Sequence, residues 1–143
     1  MIEFFMPMVP PTVTQQEHKV VVDRKTGRIR FYDPPELKAA RSRFMDQVGR
    51  FAPETPLEGP LQLITKWIWP QDTERLQMLS VIDPDRFSWK TTKPDTDNLI
   101  KMLKDCMTRT GFWKDDAQVA SEVTEKFLAN RPGIYVKVMR LQE

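Results

Sequence analysis

Hydrophobic positions along the chain follow two different periods. Residues 2–6, IEFFM, read as a first strand, ended by Pro7, Pro10 and Pro11. KVVVD and RIRFY flank RKTG, where Gly27 suits a tight turn, so this stretch reads as a β-hairpin. Its second strand alternates Arg28, Arg30 and Tyr32 with Ile29 and Phe31, giving a basic face and an apolar one. The period then lengthens. Leu37, Ala40, Phe44, Val48 and Phe51 recur at helical spacing within DPPELKAARSRFMDQVGRF, and Pro34 and Pro35 suit the start of a helix. PETPLEGP reads as a linker. LQLITKWIW returns to alternation, with Leu61, Leu63, Thr65, Trp67 and Trp69 on the face expected to be buried.

Residues 70–92 lack clean periodicity and read as a long loop. NLIKMLKDCMTR predicts a second helix with a core stripe of Leu99, Met102, Leu103, Cys106 and Met107, and Gly111 stands just beyond its end. Trp113 reads as core. A strand around QVASEVTEKF and a last strand, IYVKVMRL, complete the pattern. The expected fold is α+β: a single small domain over residues 1–143, with a mixed or antiparallel sheet and two main helices.

Composition removes several function classes. Hydrophobic residues make up 40% of 143, enough for a core that needs no disulfides. The single cysteine, Cys106, fits a reducing cytoplasm. No apolar run approaches the ~20 residues of a membrane helix, and MIEFFMPMVPP lacks the marks of a signal peptide, so a cytoplasmic protein is expected. One histidine and one cysteine fall short of the roughly four ligands of a structural zinc site. Neither GxxxxGK[ST] nor GxGxxG occurs, so no nucleotide or other small-molecule cofactor is expected. Catalysis would rest on carboxylates and lysines, which bind hard cations through oxygen.

Net charge is +2, unevenly spread. From Lys19 to Arg50 nine basic residues face four acidic ones, which leaves the rest of the chain net acidic. A basic half beside an acidic site suits the gripping of phosphates next to a cation, while a solvated hairpin and helix surface accounts for the same charge.

The most informative stretch is KPDTDNLIKMLKDCMTRTGFWKDD, residues 93–116. Asp95 and Asp97 are two apart. In extended chain both side chains would share one face, with Cα atoms about 6.5–7 Å apart, and would converge on one cation. Magnesium held by one or two carboxylates keeps positions open for water and phosphate, which is what phosphodiester hydrolysis needs. Structural roles also fit: Asp97 as a helix N-cap, Asp95 closing a turn after Pro94, Asp115 and Asp116 in a turn, and Lys101 paired at i,i+4 with Asp97 or Asp105.

Taken together, DTDNLIK, Asp105, GFWKDDAQV and Lys126 resemble the RusA family of Holliday junction resolvases, whose pattern reads approximately D-x-D-N-x-x-K, a helix with an internal Asp, G-[IF]-W-x-D-D-x-x-V, and a strand ending in Lys. The core of the resemblance covers residues 93–126. MPMVPPTVT and GPLQLITKWIWP extend it outward. The resemblance implies a homodimeric endonuclease of phage or prophage type that uses magnesium, with manganese as a substitute, and resolves branched DNA in recombination and repair. It implies metal-binding catalytic roles for Asp95, Asp97 and Asp116, a lesser metal role for Asp115, a catalytic role for Lys101 and a phosphate contact for Lys126. Arg28, Arg30, Arg41 and Arg43 are candidates for the DNA-binding surface. Two departures bear on substrate preference: Val13, Thr14 and Gln15 stand where the family often has Asn, and 71–92 is longer than in compact members. The rival readings are a nuclease acting on other branched or duplex DNA, and a catalytically silent DNA-binding dimer.

Overall fold

A computed structural model describes residues 1–12, 19–22, 24–32 and 35–142; the side chains of residues 19–21, 29–32, 36 and 37 lie outside that description. A five-stranded mixed sheet forms the body of the α+β fold. Its strands are β1 (Ile2–Met6), β4 (Leu61–Trp69), β5 (Phe87–Trp89), β6 (Val119–Ala129) and β7 (Gly133–Arg140), in the order β1-β7-β4-β6-β5. Within this sheet β4 and β6 pair in parallel, and the other neighbours are antiparallel. A parallel pair needs a crossover connection, and the segment between them supplies it. The hairpin of β2 (Lys19–Val22) and β3 (Ile29–Tyr32) forms a separate two-stranded sheet, with Gly27 at φ 69° in its turn. The expected basic and apolar faces of β3 depend on side chains outside the described set.

Alternation in β4 is as the sequence predicts. Leu61, Leu63, Thr65, Trp67 and Trp69 are buried, and the residues between them are not. They meet Phe4 and Met6 of β1, Ile134, Val136 and Val138 of β7, and one face of two helices. The first, α1 (Pro35–Gly49), contributes Phe44 and Val48, and Phe44 stacks against Trp67 with ring centroids 6.3 Å apart. Phe51 lies beyond the end of α1, where it stacks on Phe4 at 4.3 Å.

The segment read as a long loop is structured. It contains α2 (Glu74–Ile82), capped by the Thr73 side chain, and the short edge strand β5. Periodicity missed α2 because most of its residues, Met78, Val81 and Ile82 among them, are exposed. With no buried stripe there is no 3.6-residue signal to find.

The last helix, α3 (Thr96–Arg109), buries Leu99, Ile100, Met102, Leu103, Cys106 and Met107. It ends in a Schellman motif: the Phe112 amide donates to Met107 O, and the Gly111 amide to Thr108 O, with Gly111 at φ 91°. Burial, and next Asp105, push the Cys106 thiol up to about 11, against the opposing effect of Arg109 and Arg41. The thiolate is the reactive form, so the folded protein should react with a disulfide reagent at pH 8 about a hundredfold more slowly than the denatured chain. Equal rates in native buffer and in denaturant would mean that Cys106 is not enclosed.

Among the described residues, no helix is long and apolar enough to cross a membrane.

Candidate active site

The DxD pair straddles the start of α3 rather than lying in extended chain. Asp95 is the N-cap, with extended backbone at φ −73° and ψ 149°, and its side chain makes no capping hydrogen bond. Asp97 is in the first helical turn. This corrects both readings of the pair's local structure: the two residues do not share a strand face, and the cap is Asp95 rather than Asp97. The physical reason is that Pro94 excludes helix before it but permits a helix to begin right after Asp95. Both carboxylates are exposed and sit at the positive end of the α3 dipole, where negative charge is stabilised.

Lys126 holds this end of the helix in place. Its Nζ donates to Thr92 O at 2.7 Å and to Pro94 O at 2.8 Å, tying β6 to the chain just before Asp95. Burial, then the nearby Lys90 charge, lower its pKa from the usual 10.5, and Asp95 acts the other way. The folded chain therefore binds this proton less readily than the unfolded chain, and stability rises with pH between the lowered pKa and 10.5. Two of the ammonium's three donors are thus engaged by backbone carbonyls. Lys126→Met should lower stability by about 1–2 kcal/mol, the order expected for charged hydrogen bonds at a partly solvated site. It should also speed proteolytic nicking within 90–95. Urea midpoints and limited proteolysis check this, and no change in either would leave Lys126 available for phosphate.

Asp116 is built into a different corner. Phe112 and Trp113 are buried, and Trp113 Nε1 donates to Thr108 Oγ1 at 2.7 Å. The chain then turns outward through Lys114, Asp115 and a single 3-10 turn at Asp116–Gln118. Asp115 caps that turn, accepting from the Ala117 amide at 2.8 Å, while Gln118 Oε1 accepts from the Lys114 and Asp115 amides. Gln118 Nε2 anchors the turn to Leu57 O and Gly59 O. Much of GFWKDDAQV is thus scaffolding that presents Asp116. Asp116 lines an open groove with Asp105, Thr108, Arg109, Lys114 and Asp115. Sequence reasoning did not single out Arg109 or Lys114 as neighbours of Asp116. The only signal was their proximity in sequence.

The groove and the acid pair are at opposite ends of α3. Lys104 near its middle bonds Glu122 at 3.0 Å, and Lys126 meets its start, so α3 runs antiparallel to β6. From Asp95 to the Asp105–Arg109 level is roughly 15–20 Å at 1.5 Å per residue. Among the described residues, no three His, Cys, Asp or Glu side chains of one chain stand together closely enough to hold a metal ion. The fold therefore sets Asp95 and Asp97 at the start of α3 and Asp115 and Asp116 on the groove at its other end, and does not unite the two pairs. Lys101 is exposed on α3, one turn after Asp97.

The arginine candidates divide. Arg28 is exposed in the turn before β3, and Arg43 is exposed beside the groove lined by Met8–Thr12 and α1. Arg41 is half-buried on α1, where its charge opposes the rise of the Cys106 pKa. Arg30 lies in β3 opposite Val21, and its side chain is outside the described set.

The candidate site thus consists of a mixed sheet carrying a helix that starts at DxD, followed by a turn that presents a further aspartate. The sequence profile described as "Endodeoxyribonuclease RusA" matches residues 8–139, and the chain belongs to that family of DNA endonucleases. It is similar to "Uncharacterized protein YqaN" of Bacillus subtilis (strain 168), 26% identical over 116 residues, which cover 80% of this chain and 81% of that protein. It is also similar to "Crossover junction endodeoxyribonuclease rusA" of Lactococcus phage r1t, 48% identical over 33 residues, 23% of this chain and 25% of that protein.

Proposed function

We propose that this endonuclease resolves four-way DNA junctions by paired nicks, as a magnesium-dependent homodimer acting in the cytoplasm in recombination and repair. The observation that carries the reading is the division of the acids between the two ends of α3. A second copy packed antiparallel, related by a two-fold axis across the exposed face of α3, would bring its Asp116 beside Asp95 and Asp97 of the first. Two composite sites result, one for each of two equivalent strands of a junction.

The all-oxygen donor set of Asp95, Asp97 and the second copy's Asp116 suits magnesium, with manganese as a substitute. When bound, such an ion would supply Lewis acidity towards the phosphate and lower the pKa of a bound water. The rest falls to this chain's own residues. Lys101, exposed one turn from Asp97, is suited to neutralising charge on the leaving oxygen. Lys126 keeps the Asp95 backbone from drifting. Asp115 holds the turn that carries Asp116. Arg28, Arg30 and Arg43 are the proposed phosphate contacts, which set position without reading bases.

The test is cleavage of a synthetic four-way junction against linear duplex of the same sequence, with and without magnesium, manganese replacing it in a third arm. Symmetric nicks in the junction alone support the reading. Equal cutting of duplex would make this a general nuclease, and junction binding without cutting under either metal would make it a binding protein.

A further inference from the structure

β5 is the outer strand of the sheet, and it displays two aromatic side chains to solvent. Phe87 is 57% exposed and Trp89 is 59% exposed, whereas Trp67, Trp69 and Trp113 are all buried. The rings form one cluster with Phe127 of β6. Trp89 lies 4.7 Å from Phe127 at 35°, and Phe87 meets Phe127 at 5.5 Å, edge to face. Pairing of Trp89 with Phe127 in the ladder fixes this arrangement on rigid backbone. Phe127 supports the outer pair from the neighbouring strand.

The sequence around these rings is RFSWKTTK, residues 86–93, with three basic residues and no acidic one. Basic charge interleaved with exposed aromatic rings suits unpaired nucleic acid, whose backbone is drawn by the charge while its bases stack on the rings. The chain runs on from β5 to the acid pair within six residues of Trp89. Lys90 N still donates to Lys126 O at 3.0 Å, Lys126 fixes Thr92 and Pro94, and Asp95 follows.

We infer that Phe87 and Trp89, backed by Phe127, form a stacking platform for an unpaired nucleobase of the DNA beside the cut strand. Branched DNA offers such bases where its arms meet, and continuous duplex does not. The inference deepens the proposed junction function by adding the contact that would favour a branch point over a straight helix. Every base has a π face, so the contact would be tolerant of sequence.

Trp89 as the one exposed tryptophan gives a direct readout. In EDTA, a short oligothymidylate should quench the protein's tryptophan fluorescence. Trp89→Phe should keep the affinity, because a ring remains, but lose the quench. The Phe87→Ala, Trp89→Ala double variant should bind the oligothymidylate and a four-way junction about tenfold or more weakly, since stacking counts appreciably for each base. Its duplex affinity and its sedimentation should stay as in wild type. Absence of quenching, equal loss of duplex binding, or loss of self-association would overturn the inference, the last because the rings would then belong to an interface between copies. A protein that stacks oligothymidylate but leaves junctions uncut in magnesium would keep the platform and lose the junction function. Junction cutting without quenching would do the reverse.

Discussion

Equal mixing of Asp95→Asn and Asp116→Asn proteins, each at least about a thousandfold impaired alone, is expected to restore nicking to about a quarter of wild type, once subunits have exchanged. The length of α3 sets this outcome. If each site takes Asp95 and Asp97 from one copy and Asp116 from the other, a mixed dimer has one site with both defects and one with none. Half the dimers are mixed, and each has one intact site of two. If each copy instead supplied a complete site, every site in the mixture would carry a defect and no activity would return. The product distinguishes the outcomes further: one intact site nicks a single strand of a junction, so the mixture should accumulate nicked junctions rather than resolved duplexes. Mixtures without activity, although subunit exchange is demonstrated, would exclude the composite site.

Trp67→Ala is expected to destabilise the fold by about 3–5 kcal/mol, the range for removing a large buried aromatic. Trp67 is fully buried in the central strand of the sheet, between Ile134 of β7 and Lys126 of β6, and its ring packs on Phe44. Its Nε1 donates to Thr65 Oγ1 at 2.9 Å, and that hydroxyl in turn reaches Val123 O at 3.4 Å. The substitution removes the ring from the contact between sheet and α1 and takes a donor from a buried hydroxyl. At about 2–4 °C per kcal/mol for a chain of this size, the melting midpoint should fall by roughly 10 °C. Trp89→Ala serves as the control: its ring is more than half exposed, so its effect on stability should stay within about 1 kcal/mol. Equal shifts for the two variants would contradict the assignment of Trp67 to the core and Trp89 to the surface.

Different parts of the fold were legible for different reasons. β4 and α3 were read closely because each buries one face, which stamps a period on the sequence. α2 and β5 left no such stamp: most of α2 is exposed, and β5 is only Phe87–Trp89, too short to alternate. At the site, the residue types and their spacing were visible, and the family pattern joined DTDNLIK to GFWKDDAQV. The roles within the motif were not. Asp115 and Gln118 form a capping box, and Lys126 bonds two carbonyls from 32 and 34 residues away, contacts that exist only once β6 lies against the start of α3.

The sequence by itself determined that this is a single-cysteine α+β chain whose aspartates follow the RusA pattern. Those properties reside in residue type, local spacing and burial period, all of which are written along the chain. Only the tertiary structure decided where the acids stand. Proximity in space depends on how far a rigid element carries the chain before it turns, and α3 carries it far enough to part Asp116 from Asp95 and Asp97. The same packing left Phe87 and Trp89 at the sheet's edge, in solvent, where the sequence suggested only a loop.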